Sequence, residues 1–334
     1  MKNHTIFFEK PVYIGETATI AGPKEGEGPL HKYFDHVLKD DLLKQKSHEH
    51  AEIKIHVSVI KLLLNKLAIN IEDVDCCFAG DLLDEIISAS FTMREIDIPF
   101  LGLYNACATY GEAMLIASSM IAGGFINNAI CSITSHFATA ERQYRYPLEL
   151  GCQRTPLSQW TVTGGASLFL SKEPLSNVKV TCATIGKVVD FGVSDANNMG
   201  AAMAPAAIDT LMSHLNDTGR NIDYYDLIIT GDLGHAGSRL LQKMAKEKGL
   251  ELTNNNYTDG GVLIFNREGQ CVEQGGSGAS CGALCFNSYV YPSMKKLKYK
   301  KVLFITTGAL LSKTSSLQGE SIPAIAHAVS LEVL

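Results

Sequence analysis

The sequence predicts an α/β fold of two duplicated halves, stacked as five layers, α-β-α-β-α. One observation is a repeated unit. A helical pattern over residues 49–68, with apolar residues at Ile55, Val59, Leu62, Leu63 and Leu67, leads through Asp73-Val74-Asp75 to a strand at 76–79 and the turn Gly80-Asp81-Leu82. The same order returns as an alanine-rich helix at 201–215, Tyr224-Tyr225-Asp226, a strand at 227–230 and the turn Gly231-Asp232-Leu233. The second observation is that each half then carries a small-residue helical segment and a further strand: 107–122 with 129–135, and the segment from Gly276-Ser277-Gly278 with 302–307. These two segments are apolar on all sides, which suits a middle layer between sheets. Strands alternating with helices predict parallel sheets covered on both faces. The seam is placed at the polar break Ser171-Lys172-Glu173-Pro174, giving an N-terminal half of 1–172 and a C-terminal half of 173–334.

Composition sets the outer limits. The 334 residues carry a net charge of -6, which argues against a nucleic-acid binder working by general basicity. Lys295 to Lys301 is a lysine-rich stretch that reads as a helix end and a solvated turn. The start of the chain lacks the apolar core of a signal peptide, and the longest uncharged apolar stretch, 113–126, is shorter than a bilayer span. A soluble or at most peripheral protein is expected. The nine cysteines have no paired metal-ligand spacing, and reduced thiols are expected.

The chemistry is concentrated between residues 105 and 147. Asn105 can cap the helix and Gly123-Gly124 can stop it, which puts Cys107 in the first turn. There the helix dipole would lower the thiol pKa, and the competing reading is a structural buried cysteine. His136 ends the next strand, and Arg142 and Arg145 follow in a polar loop. Lys24 lies in the loop Ala21-Gly22-Pro23-Lys24, which could cover a site or stay solvated.

Longer strings then point to a family. Ala21-Gly22-Pro23-Lys24, the run from Ala79 to Leu83, Ser135-His136, the run from Ala138 to Gln143, Arg145-Tyr146-Pro147, Ile185-Gly186-Lys187, Thr230 to Leu233 and the run from Ile322 to His327 together resemble the stage V sporulation protein AD family, within the thiolase-like superfamily. That resemblance implies a thiolase-like fold and a protein that binds dipicolinic acid (pyridine-2,6-dicarboxylate) and its calcium chelate without turning them over. It further implies partners among the other SpoVA proteins of the spore inner membrane, peripheral membrane association through them, no cofactor or metal, and a homodimer formed through the strand leading into the Cys107 helix. For such a planar dianion, Arg142 and Arg145 offer fork-shaped donors, Lys187 and Lys24 point charges, His136 a donor, and the Cys107 turn backbone N–H groups. Each has a plainer role open to it. Arg142 can pair with Glu141 or Glu149, Arg145 can be a surface residue, His136 can be a core histidine and Lys187 can be solvated.

The alternative is an acyl-condensing enzyme with Cys107 as nucleophile and His235, in Gly234-His235-Ala236-Gly237, as the imidazole. Ketoacyl synthases of that type carry His-Gln-Ala-Asn near this point and Gly-Asn before the second inner helix. Here the glutamine and asparagine are missing from the first motif, and Gly275-Gly276-Ser277-Gly278 replaces the second.

Overall fold

The structure is a computed structural model that describes residues 3–144 and 154–334. Ten main strands fall into two sets. The first half contributes β1 (Thr5–Ala21), β2 (Cys77–Gly80), β3 (Phe100–Gly102), β4 (Asn128–Ser135) and β5 (Gly164–Ser171). The second contributes β6 (Val178–Thr184), β7 (Leu227–Thr230), β8 (Tyr257–Asp259), β9 (Lys301–Ala309) and β10 (Ala324–Val333). Their orders are β3-β2-β4-β5-β1 and β8-β7-β9-β10-β6, the same path drawn twice. The sets join edge to edge because the start of β1 pairs antiparallel with β6, from Thr5↔Thr184 to Tyr13↔Lys179.

The sheets are mixed, which corrects the expectation of parallel ones. β3, β2 and β4 run parallel, as do β8, β7 and β9, but β5 and β10 return antiparallel. A parallel neighbour needs a crossover on the sheet face, whereas β9 and β10 are joined by a short excursion holding one five-residue helix, Lys313–Leu317.

Helices complete the layers. The helices α1 (His48–Leu67) and α2 (Ile87–Ile96) cover the outer face of the first set. The inner helix α3 (Thr109–Gly123) touches strands of both sets, and α4 (Phe137–Tyr144) follows β4. The helices α5 (Met199–Thr218) and α6 (Gly234–Glu247) cover the second set, and α7 (Ala279–Cys285) is the other inner helix. The apolar packing divides accordingly. One cluster fills the space around α3 and α7, with Phe78, Met114, Leu284 and Phe304, and separate clusters lie under α1 and under α5. Asn287 ties the middle layer to β1 and β5: it accepts from Tyr110 Oη at 2.9 Å, and its Nδ2 donates to the Ser167 carbonyl at 2.9 Å.

The inner helix meets the second half at bare backbone. A Cβ added to Gly111 would fall 2.0 Å from Thr306 Oγ1, and one added to Gly308 would fall 2.4 Å from the Asn105 carbonyl. Gly111→Ala therefore forces α3 away from β9 or displaces Thr306. The expected cost is ~1–3 kcal/mol of stability, measured as a lowered denaturant midpoint with an unchanged slope.

Candidate functional site

Cys107 sits at a bend, not inside a helix. The chain leaves β3 with the Leu103 N–H bonded to the Ala79 carbonyl, then turns with Ala106 at φ +50°. That is left-handed backbone, costly for a residue with a Cβ. Thr109 holds the bend, its hydroxyl donating to the Ala106 carbonyl at 2.7 Å and accepting from the Asn105 N–H at 2.8 Å. Helix α3 begins only at Thr109, and no side chain caps it. The expected Asn105 cap is absent because its amide meets His327 Nε2 at 3.3 Å instead.

The surroundings of the thiol reverse the expected electrostatics. Burial and the facing carboxyl of Asp232 push the Cys107 thiol well above its ordinary pKa, against the weaker pull of the Gly278 N–H and the Ser277 hydroxyl. The expected low-pKa thiolate is thus corrected. Asp232 is itself buried and fixed on both oxygens. Ser277 Oγ and the Gly278 N–H donate to Oδ2 at 3.1 and 3.0 Å, and Thr307 Oγ1 donates to Oδ1 at 2.9 Å. These donors belong to the same half as Asp232, whereas Cys107 comes from the other, so thiol and carboxyl face each other only where the two halves meet.

The cavity over Cys107 measures about 40 Å³ and is walled by Leu82, Ala140, Glu141, Tyr144, Met199 and Leu311. That volume holds a few waters and not an acyl chain or an aromatic ring. Tyr144 also lines a neighbouring open groove of about 460 Å³, together with Glu49, Asp84, Arg142, Gln143, Ser312 and Lys313. The groove has the size of a small-molecule site and carries side chains of both signs.

The predicted residues divide on this geometry. Cys107 lines the cavity and Arg142 the groove, where its Nη1 pairs with Glu49 Oε1 at 2.9 Å; the pairing with Glu141 is not formed, because Glu141 is buried and bound by Arg154 at 3.3 Å. Arg145 and Glu149 lie outside the described residues. His136 is a core histidine that caps α4. Its Nδ1 accepts from the Ala138 N–H at 3.1 Å, leaving Nε2–H to donate to the Asp41 carbonyl at 2.9 Å, and burial lowers its pKa. Asp41, His48 and His136 bring ligand-type atoms within 4.8 Å of one another, but with both His136 nitrogens engaged a metal there would have to break the cap. Lys187 is solvent-facing and paired with Asp209 at 3.0 Å. Lys24 donates to the Gln270 carbonyl at 2.8 Å and lies 4.2 Å over the ring of Trp160. His235, at the start of α6, is likewise not at the thiol: its neighbours are Arg267 and Arg239, and burial with those cations lowers its pKa. Asp232 occupies the place expected of the imidazole. The repeated Gly-Asp-Leu turn was the sequence signal for it.

The counterpart of Asp232 in the first half, Asp81, turns the other way. Its oxygens accept from the Leu83 and Ala89 N–H groups at 2.7 Å each, while Glu52 on α1 stands close enough to oppose its charge. Burial and the Asp81 charge raise Glu52 to about 8, and Thr139 Oγ1 donates to it at 2.7 Å.

Comparison with known proteins agrees with this architecture. Residues 2–332 match the family described as stage V sporulation protein AD (SpoVAD). The stage V sporulation protein AD of Bacillus subtilis (strain 168) is 40% identical over 328 residues, covering 98% of this chain and 96% of that protein. The chain belongs to the SpoVAD family. Among solved structures, a variant of OleA from Xanthomonas campestris matches with a TM-score of 0.63 at 14% identity, covering 98% of this chain and 99% of that one. The 3-oxoacyl-[acyl-carrier-protein] synthase III of Aquifex aeolicus VF5 gives 0.58 at 12% identity, covering 96% and 99%. These two share the thiolase-like fold with this SpoVAD-family chain.

Two measurements check the electrostatics. Alkylation of Cys107 should be slow at pH 7 and inflect above the ordinary thiol value of about 8.5; Asp232→Asn, which removes the opposing charge, should move that inflection down and speed the reaction. Glu52 is protonated more readily in the folded chain, so it contributes stability that is full below its unfolded value of 4.5 and lost as pH rises through about 8. Glu52→Gln should flatten the fall in melting temperature across that window.

Proposed function

We propose that this chain binds dipicolinic acid and its calcium chelate without chemical conversion, as a subunit of the SpoVA channel serving dipicolinate uptake in sporulation and release in germination. Membership of the SpoVAD family places it among sporulation proteins. The observation that carries the non-enzymatic reading is the carboxyl of Asp232 facing Cys107. A nucleophile held as a thiolate needs a neighbouring cation or imidazolium, and here burial and the Asp232 carboxyl favour the neutral thiol.

The open groove beside Tyr144 suits the ligand better than the small cavity over the thiol. The Arg142 guanidinium and Lys313 can meet carboxylates. Glu49 and Asp84 can face the calcium of a chelate, since hard cations take carboxylate oxygen. Binding of the free acid would draw Arg142 from Glu49. Among the described residues no helix is long and apolar enough to cross a membrane, so in this reading the spans of the channel belong to the partner subunits. A homodimer would form through β3, a strand at the edge of the sheet with Leu101 and Tyr104 exposed beside it.

Calorimetric titration with dipicolinate, with and without calcium and with benzoate as control, tests the reading. Selective, saturable dicarboxylate binding weakened about tenfold by Arg142→Ala supports it. An absence of heat from a folded protein sinks it.

The second reading, an acyl transferase, rests on the bend that presents the Cys107 thiol to a cavity. It requires a mass-shifted adduct on Cys107 after incubation with an acyl-CoA, lost in Cys107→Ser. The opposed thiol leads us to expect no adduct.

A further inference from the structure

The end of the molecule opposite the cavity carries a pattern that ligand binding does not use. Strand register places its loops together. Asn128 pairs with Ser171, Lys301 with Glu332, Val178 with Val333, and Tyr13 with both Ser171 and Lys179. The starts of β4, β6 and β9 and the ends of β5 and β10 therefore share one end. Lys172 N–H bonds the Asn127 carbonyl at 3.0 Å, and Val333 N–H bonds the Lys300 carbonyl at 2.8 Å, which stitches these loops to each other. Ala309, at the other end of the nine-residue β9, lines the cavity; the separation is roughly 26 Å at ~3.3 Å per residue.

Four large apolar side chains project from these loops. Phe125 is 79% exposed, Leu334 67%, Leu297 54% and Leu175 53%. Each stands at a loop or strand end. Lysines surround them. Lys295, Lys296, Lys298, Lys300 and Lys301 fall within seven residues around Leu297, in a chain of net charge -6. Lys172 precedes Leu175 by three positions, and the Lys10 ammonium lies 3.5 Å from where a Gly124 side chain would begin, beside Phe125. Several of the nearby acids are engaged. Asp75 accepts from the Asn127 and Asn128 N–H groups, Asp226 from those of Lys300 and Lys301, Glu16 pairs with Lys295, and Glu332 pairs with Arg220. Glu9, Glu72, Asp73, Glu173 and Asp223 stay exposed at the same end and reduce the positive balance in part.

We propose that this end is a docking face for an anionic lipid bilayer. Separated apolar tips ringed by lysines match a headgroup layer, where each tip can enter the acyl boundary while the ammonium groups stay with phosphates. A protein partner would instead call for a continuous apolar patch with a polar rim. Docking this way turns the cavity and groove away from the membrane and leaves them open. The proposal holds whether or not the groove takes dipicolinate.

Co-sedimentation of the purified full chain with phosphatidylglycerol–phosphatidylcholine vesicles tests it, against vesicles of phosphatidylcholine alone. Binding to the anionic vesicles, weakening as salt rises, is expected. The double variant Lys296→Glu, Lys300→Glu should reduce the partition about tenfold or more. Phe125→Ser with Leu297→Ser should also reduce it, with the salt dependence retained. Unchanged Trp160 emission and melting temperature show that the variants fold. No binding, equal binding to neutral vesicles, or binding that neither variant alters overturns the proposal. So does retention by a protein partner alone, with no affinity for vesicles.

Discussion

The two halves approach each other through backbone, and the site exists because of that approach. Gly111 and Gly308 leave no side chain between the start of α3 and β9, so Thr306 Oγ1 reaches the Ala108 carbonyl at 3.1 Å. On the same strand Thr307 reaches Asp232. A methyl group at either glycine would open the seam and separate the Cys107 bend from the donors that fix Asp232. Packing at this seam and electrostatics at the thiol are thus one arrangement.

The pair Cys107–Asp232 then decides what the pocket can do. A helix terminus stabilises negative charge only near its first N–H groups. Cys107 lies ahead of α3, in a bend, where burial and a fixed carboxyl dominate. Asp232 cannot turn away, because the Ser277, Gly278 and Thr307 donors hold both oxygens. The fold shared with OleA and the synthase supplies the scaffold. The chemistry is set by which group faces the thiol, and here that group is an acid.

Duplication has a second consequence, at the opposite end. Asp75 and Asp226 do the same work in each half, gathering the N–H groups where β4 and β9 begin. The turns they hold differ in character. One presents Phe125 and the other Leu297 among lysines. Two functional surfaces can therefore diverge on one repeated frame.

Much of this was legible in the sequence, because local patterns encode it. The repeated Gly-Asp-Leu turns, the helical spacing from Ile55 to Leu67 and the small-residue inner segments fix the elements and their order, since each depends on neighbours a few residues away. The C-terminal glycine stop of α3 was readable for the same reason, with Gly124 at φ +78°. The site was only partly legible. Cys107 lines the cavity and Arg142 the groove, and residue type alone pointed to both as candidates without giving their surroundings. The roles of His136 and His235 were not readable: one depends on the Ala138 N–H and the Asp41 carbonyl, the other on Arg239 and Arg267. Asp232 was visible as part of a repeat but not as the partner of Cys107, because 125 residues of chain separate them and only the meeting of the halves joins them. The sequence by itself determined the repeated α/β frame and its buried middle layer. The tertiary structure alone decided the protonation of the thiol, since desolvation and a facing charge belong to no single segment.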